Sequence, residues 1–338
     1  MPIHESNQIW KLESEPPNPD AIARMRAHFP KPQEPMPIAW FMNGEITLIK
    51  GLDGNSDSEK LCNALSEIKG GITAFPEVQY VPLWKEWFRY LLPDLIVRAN
   101  DPDNFNDFTK YILVKTIVAF FNIYPGEIIE EYPGFREDVV STLGTRAIPH
   151  PLARETTVVE ETDNRLFIDL WDASHQIQYY GFCSFEEVDS SILFCLKYLT
   201  PTQISVWGLS LFQIESPQWH LQLLFWLTAW RSLLRLVETD SDEAGKLQEH
   251  IESSDILSEF WIPPFKTFDE FIAPVNVQAI EQVIAEEFTF DLFQTWKSEI
   301  LNQLNISKYN LERDSYLSQS FEEIAQELET VLFPTPSS

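Results

Sequence analysis

Asp169, Asp172 and His175 lie within one stretch, RLFIDLWDASHQIQYY. Two carboxylates beside an imidazole can orient a general base or hold a divalent metal. Their spacing matches no ligand pattern with a stated mechanism, and Asp172-Ala-Ser-His175 has the composition of a polar hairpin turn. The turn is the stronger reading, and the three residues are the site expected if the chain is an enzyme of unrecognised class. A second grouping is His220, Arg231 and Arg235, which share one face when 217–237 is projected as a helix. Two arginines four residues apart can grip a carboxylate or phosphate in bidentate fashion, making these three the anion-binding candidates. In so acidic a chain, pairing with the protein's own Glu and Asp side chains is the stronger reading.

Other chemistry is harder to find. The sequence holds no GxGxxG, GxxxxGK[ST], GxSxG or HExxH, and its 11 glycines leave little material for phosphate-cradling loops. GLDGNSDSE at 51–59 is rich in Asp, Asn and Ser but lacks the alternating ligands and terminal glutamate of a calcium loop. An Asx-rich turn running into a helix cap accounts for it better. The six histidines are scattered, so no metal site and no cofactor is expected. Cys62, Cys183 and Cys195 form no CxxC and read as reduced thiols acting as small hydrophobes in a cytoplasmic protein.

The elements that would position these residues are mostly helices. Residues 1–35 are rich in Pro around one helical stretch, AIARMRAHF, and read as a loosely attached arm. Asn43-Gly44 joins two short β-prone runs, predicting a hairpin across 38–49. Ser56 with Glu59, Ser184 with Glu187, Thr200 with Gln203, and Ser320 with Glu323 have capping-box spacing. Pro82 suits the first turn of a helix carrying Leu83, Trp84, Trp87, Phe88 and Leu91, which Pro93 should kink or end. Another apolar helix is expected over 104–122. Residues 156–182 contain three β-prone runs that read as an antiparallel meander. Ser216-Pro217 opens the most apolar helix, with Trp219, Leu223, Trp226, Leu227 and Trp230 on one stripe and Gln218 and Gln222 opposite. Further helices are expected at 241–252, 277–287, 290–304 and 321–332.

The fold class expected is mainly α, an irregular multi-helix stack or bundle with a small antiparallel β element. Its divisions would be the arm at 1–35, a helical region with hairpin and meander at 36–183, and an acidic all-helical region at 184–333.

Charge narrows the partners. The chain has 338 residues, with 52 Asp+Glu against 24 Lys+Arg and a formal charge of −28. That argues against direct nucleic-acid binding and against docking on an anionic membrane, both of which recruit positive charge. Residues 237–338 hold 21 acidic and 5 basic side chains, so the acidity is concentrated in the C-terminal third. No secretion signal is visible, and LQLLFWLTAW at 221–230 is too short to span a bilayer. The function expected is a soluble, non-catalytic protein–protein interaction protein, meaning an adaptor, assembly factor or inhibitor that offers an acidic helical surface to a basic partner. The alternatives are the Asp/His enzyme above and an acidic nucleic-acid mimic.

Overall fold

The computed structural model describes residues 18–38, 47–57, 60–61, 63–65, 68, 80–99, 121, 131–143, 186–236, 272–306, 321–326, 328–330 and 332–333. Of these, 76% are helical, with almost no strand, so the fold is mainly α. The chain divides into two compact units, Met1–Ile148 and Pro149–Ser338. The division falls before the 156–182 stretch, and that stretch lies outside the described residues, as do 241–252 and all of 104–122 except Phe121.

In the first unit, Asn18 caps α1 (Pro19–His28) by accepting from the Asp20 and Ala21 amides, with Pro19 in the first turn where its missing N–H costs nothing. Over these residues the expectation of a loosely attached arm is corrected. Ala21, Ile22, Met25 and Phe29 are buried, and α1 packs against both α2 (Val81–Ala99) and α3 (Phe135–Leu143). The reason is an apolar stripe at helical spacing inside a Pro-rich segment, whose prolines mask the anchor.

Strands β1 (Met36–Ile38) and β2 (Thr47–Ile49) pair antiparallel, as a hairpin requires, with Met36 opposite Ile49 and Ile38 opposite Thr47. A two-residue turn at Asn43-Gly44 would set Ile38 opposite Ile49. The observed register is offset from that by two residues, which keeps every side chain on its face. Residues 39–46 lie outside the described part.

Helix α2 buries Trp84, Trp87, Phe88 and Leu91 and continues through Pro93 to Ala99. Pro93 therefore does not end the helix. The packing of Leu92, Leu95 and Ile96, all buried, holds the last turn in place although proline can donate no bond back along the helix. Indole N–H groups tie the segment around β1 to α2: Trp84 Nε1 donates to the Pro37 carbonyl at 2.9 Å and Trp87 Nε1 to that of Glu34 at 3.1 Å. A chain of edge-on rings, Phe29, Phe135, Phe121 and Phe88, fills the centre.

The loop at 51–57 is an Asx turn, with the Asp53 carboxylate accepting from the Asn55 amide. The helix after it is capped by Asp57, which accepts from the Lys60 amide at 2.8 Å, rather than by Ser56. Ser56 instead accepts from the Asp53 amide and closes the turn. Gly54 is fixed by its surroundings, because a Cβ there would overlap the Asp94 carboxylate.

The second unit contains α4 (Glu186–Tyr198), α5 (Pro201–Phe212), α6 (Pro217–Leu236), α7 (Pro274–Glu287) and α8 (Phe290–Ile306). Thr200 and Gln203 form the expected capping box at α5, each side chain bonded to the other's backbone amide. Helix α5 packs most closely on α7, where Gly208 allows the approach: a Cβ at 208 would stand 2.7 Å from Ile280 Cδ1. Helix α6 lies against α8 and α4, and every residue from Gln218 to Leu227 is buried. Its narrow polar strip goes into the core with the rest, since Gln218, His220 and Gln222 are buried too, as suits a helix that is apolar on most sides. Trp84, Trp87, Trp207, Trp219 and Trp226 are all core residues. No described helix is long and apolar enough to cross a membrane.

Candidate functional site

Asp169, Asp172 and His175 lie outside the described residues. Arg231 and Arg235 belong to α6, and their side chains also lie outside the described part. Of the residues singled out from the sequence, His220 is the one whose surroundings are best defined. Cys195 is fully buried on α4, and burial pushes its thiol well up, away from the thiolate a nucleophile needs, so it packs as a small hydrophobe. Among the described residues, no group of His, Cys, Asp and Glu could hold a metal ion.

His220 sits in the first turn of α6, which Ser216 opens by accepting the His220 amide on its carbonyl and the Trp219 amide on its hydroxyl. Its Nε2 is 2.7 Å from the Ile214 carbonyl, which can only accept, so the neutral ring carries its proton on Nε2. The ring lies flat on Trp296 of α8, 4.4 Å between centroids and 7° between planes. Nδ1 is 3.0 Å from Glu299 Oε2, also on α8. Burial lowers the imidazole below its ordinary value of 6.5, against the opposing pull of the Ile214 carbonyl, Glu299 and Glu215. Among the described groups, the anion beside His220 is thus the protein's own glutamate.

Two further polar features were not visible in the sequence. Lys197 ends the apolar run of α4, and burial pulls its ammonium down to about 7. In the first unit, the Asp138 carboxylate on α3 accepts from Arg24 Nε at 2.9 Å, Arg24 Nη2 at 2.5 Å and the Tyr132 hydroxyl at 2.8 Å. Burial alone would raise the Asp138 carboxyl. The bonds from Arg24 and Tyr132 and the guanidinium charge outweigh burial and hold it below its ordinary 3.8. Tyr132 is raised by burial and by the carboxylate beside it. The hub ties α1 to α3, and its groups are mutually satisfied, which suits anchoring rather than catalysis.

Asp138→Ala is expected to destabilise the first unit by about 2 kcal/mol, the value of charge-assisted hydrogen bonds whose arginine end can still reach water. With the folded carboxyl below 3.8, this contribution is complete above 3.8 and is lost as pH falls through the folded value. The stability gap between wild type and variant, measured by urea unfolding, should therefore be constant from pH 7 to 5 and narrow below pH 4. A gap already absent at pH 7 would mean that the hub does not anchor α1.

The clearest surface feature of the second unit is acidic. Glu286 on α7, Asp291 and Glu299 on α8, and Glu322 and Glu323 in the C-terminal helical residues are all exposed. Lys297 is the one cation among the described residues from 272 onward. The opposite faces of the same helices carry the core residues Val277, Ile280, Ile284, Phe293, Ile300 and Phe321. Comparison with protein-family models, with curated proteins and with solved structures finds no match for this chain. Fold and surface together describe a mainly α protein whose described residues from 272 onward expose several carboxylates.

Proposed function

We propose that this chain is a non-catalytic protein–protein interaction protein, an adaptor, assembly factor or inhibitor, that offers the acidic helical face of its second unit to a basic protein partner. The observation that carries the reading is the segregation of charge: exposed carboxylates on α7, α8 and the C-terminal helical residues, with Lys297 the one cation among the described residues there. Such a face steers a basic partner over long range and disfavours acidic ones. The aromatic side chains that often anchor interfaces support the same choice by their burial. The described tryptophan side chains are buried, and the large exposed apolar residues among those described are Val97, Leu209, Val275 and Phe290, spread over four helices. A cytoplasmic, soluble setting fits the reduced, buried Cys195.

The test is capture of partners on the tagged full chain at low and at moderate salt. A stoichiometric basic protein, released as salt rises because exposed charges are screened within about 10 Å at 0.1 M, is the expected result. The triple variant Glu286→Gln, Asp291→Asn, Glu322→Gln should capture it several-fold less well. A partner indifferent both to salt and to the triple variant would overturn the reading, as would the absence of any partner.

A further inference from the structure

We propose that Glu299 is an acid-closed clasp between α8 and α6, which holds Nδ1 of His220 when the imidazole is doubly protonated and turns out to water when the ring is neutral. Both nitrogens of the ring face acceptors: the Ile214 carbonyl is 2.7 Å from Nε2 and Glu299 Oε2 is 3.0 Å from Nδ1. A neutral imidazole has one N–H and can serve only one of them. With that proton on Nε2, the Nδ1 lone pair is set against a carboxylate lone pair, and among the described residues no donor reaches Nδ1. A second proton turns the same contact into a charge-assisted hydrogen bond. The arrangement in the structure is therefore that of the protonated pair.

Glu299 is the partner that moves. The ring is held by Ile214 on one edge, lies flat on Trp296 at 4.4 Å and is only 5% exposed. The Glu299 side chain is 45% exposed, so a change of rotamer returns its carboxylate to water. The other charges come from the remaining elements around α6. The α5–α6 connection supplies Glu215, which is exposed and favours the charged ring. Helix α4 carries Lys197 in its last turn, and a positive charge there opposes an imidazolium.

Burial makes the second proton costly and sets the ring below 6.5, while the contact with Glu299 recovers part of that cost. By linkage, a contact that raises the ring's proton affinity is itself favoured by acid. The clasp is therefore open above 6.5 and closes as pH falls through the folded value of the ring. Closing also withdraws one carboxylate from the exposed set on α8, a consequence for binding that rests on the function proposed above.

The experiment is a nitrogen NMR titration of the histidines of the full chain from pH 8 to 5, in wild type and in Glu299→Gln, with His220→Gln to assign the signal. In wild type, His220 should pass from the Nε2–H form to the imidazolium within this range. The glutamine amide can instead donate to Nδ1 of the neutral ring, so Glu299→Gln should lower the proton affinity of His220 about tenfold. If His220→Gln does not fold, the signal is the one that Glu299→Gln moves. If Glu299→Gln does not fold, Glu299→Ala removes the same charge and should shift the titration the same way. A His220 titration that ignores the loss of Glu299, or rises with it, would overturn the proposal. So would a wild-type ring that takes up no second proton by pH 5. The readout involves no partner, so it succeeds or fails separately from the capture test.

Discussion

Asn276→Asp is expected to cost the second unit about 4 kcal/mol, roughly twice the cost of Asn276→Leu, although aspartate has the same shape as asparagine. Asn276 lies in the first turn of α7, is buried, and its Nδ2 stands 2.8 Å from the Leu196 carbonyl and 3.0 Å from that of Leu199. Those carbonyls belong to the C-terminal end of α4, where no further turn supplies amide partners. An amide NH2 has two protons and can serve both oxygens at once, which fixes the orientation of the side chain. Leucine would leave both oxygens without this donor. Aspartate would set a buried carboxylate against two buried carbonyls, adding repulsion to the lost bonds. The pH dependence separates the two effects. The carboxyl introduced by Asn276→Asp would have a raised pKa in the folded variant, because burial and the facing carbonyls both disfavour its charged form. That variant should therefore regain stability as pH falls, whereas Asn276→Leu should show the wild-type profile. An Asn276→Asp protein within about 1 kcal/mol of wild type at pH 7 would show that the amide does not hold α4.

What the sequence made legible follows the range of the interactions involved. The capping box at Thr200 and Gln203 and the Ser216-Pro217 start of α6 are contacts over three or four residues, and both stand where spacing puts them. Where two local solutions compete, spacing alone fails. Ser56 and Asp57 are adjacent potential caps, and the Asp53 turn takes Ser56, leaving Asp57 to the helix. The burial of Gln218 and Gln222 follows from a helix that is apolar on most sides, although the neighbours that surround those amides are not readable from spacing. The long-range polar contacts lay beyond sequence reading altogether. Asn276 and Leu196 are 80 residues apart, Arg24 and Asp138 114 apart. Nothing in the type or spacing of these residues distinguishes them from surface Asn, Arg and Asp. His220 was recognisable as an unusual residue on an apolar helix, but Glu299, its neighbour in space, was one glutamate among many.

The first unit should depend most heavily on Trp84. Trp84→Ala is expected to cost about 3–5 kcal/mol, the range for removing a buried aromatic ring from a packed core. The ring is fully buried, in contact with Tyr80 at 6.2 Å between centroids, and its Nε1 donates to Pro37 in the middle of β1. That bond joins a two-stranded sheet to α2, and two strands alone are at most marginally stable in water. The hairpin therefore owes its order to what it packs against, and the substitution should loosen β1 and β2 together with the start of α2. Trp84→Phe separates the contributions. It keeps most of the apolar volume and loses the indole donor, so it should cost about 1–2 kcal/mol, for the Pro37 carbonyl left without that donor in the core. Hydrogen exchange adds the local test: the amides of residues 47–49 should lose protection in Trp84→Ala far more than the amides of α5 and α7 in the second unit. Equal loss in both would mean that Trp84 supports the whole molecule rather than the sheet. Undiminished protection at 47–49 would mean that β1 and β2 are held by contacts other than the Trp84 ring.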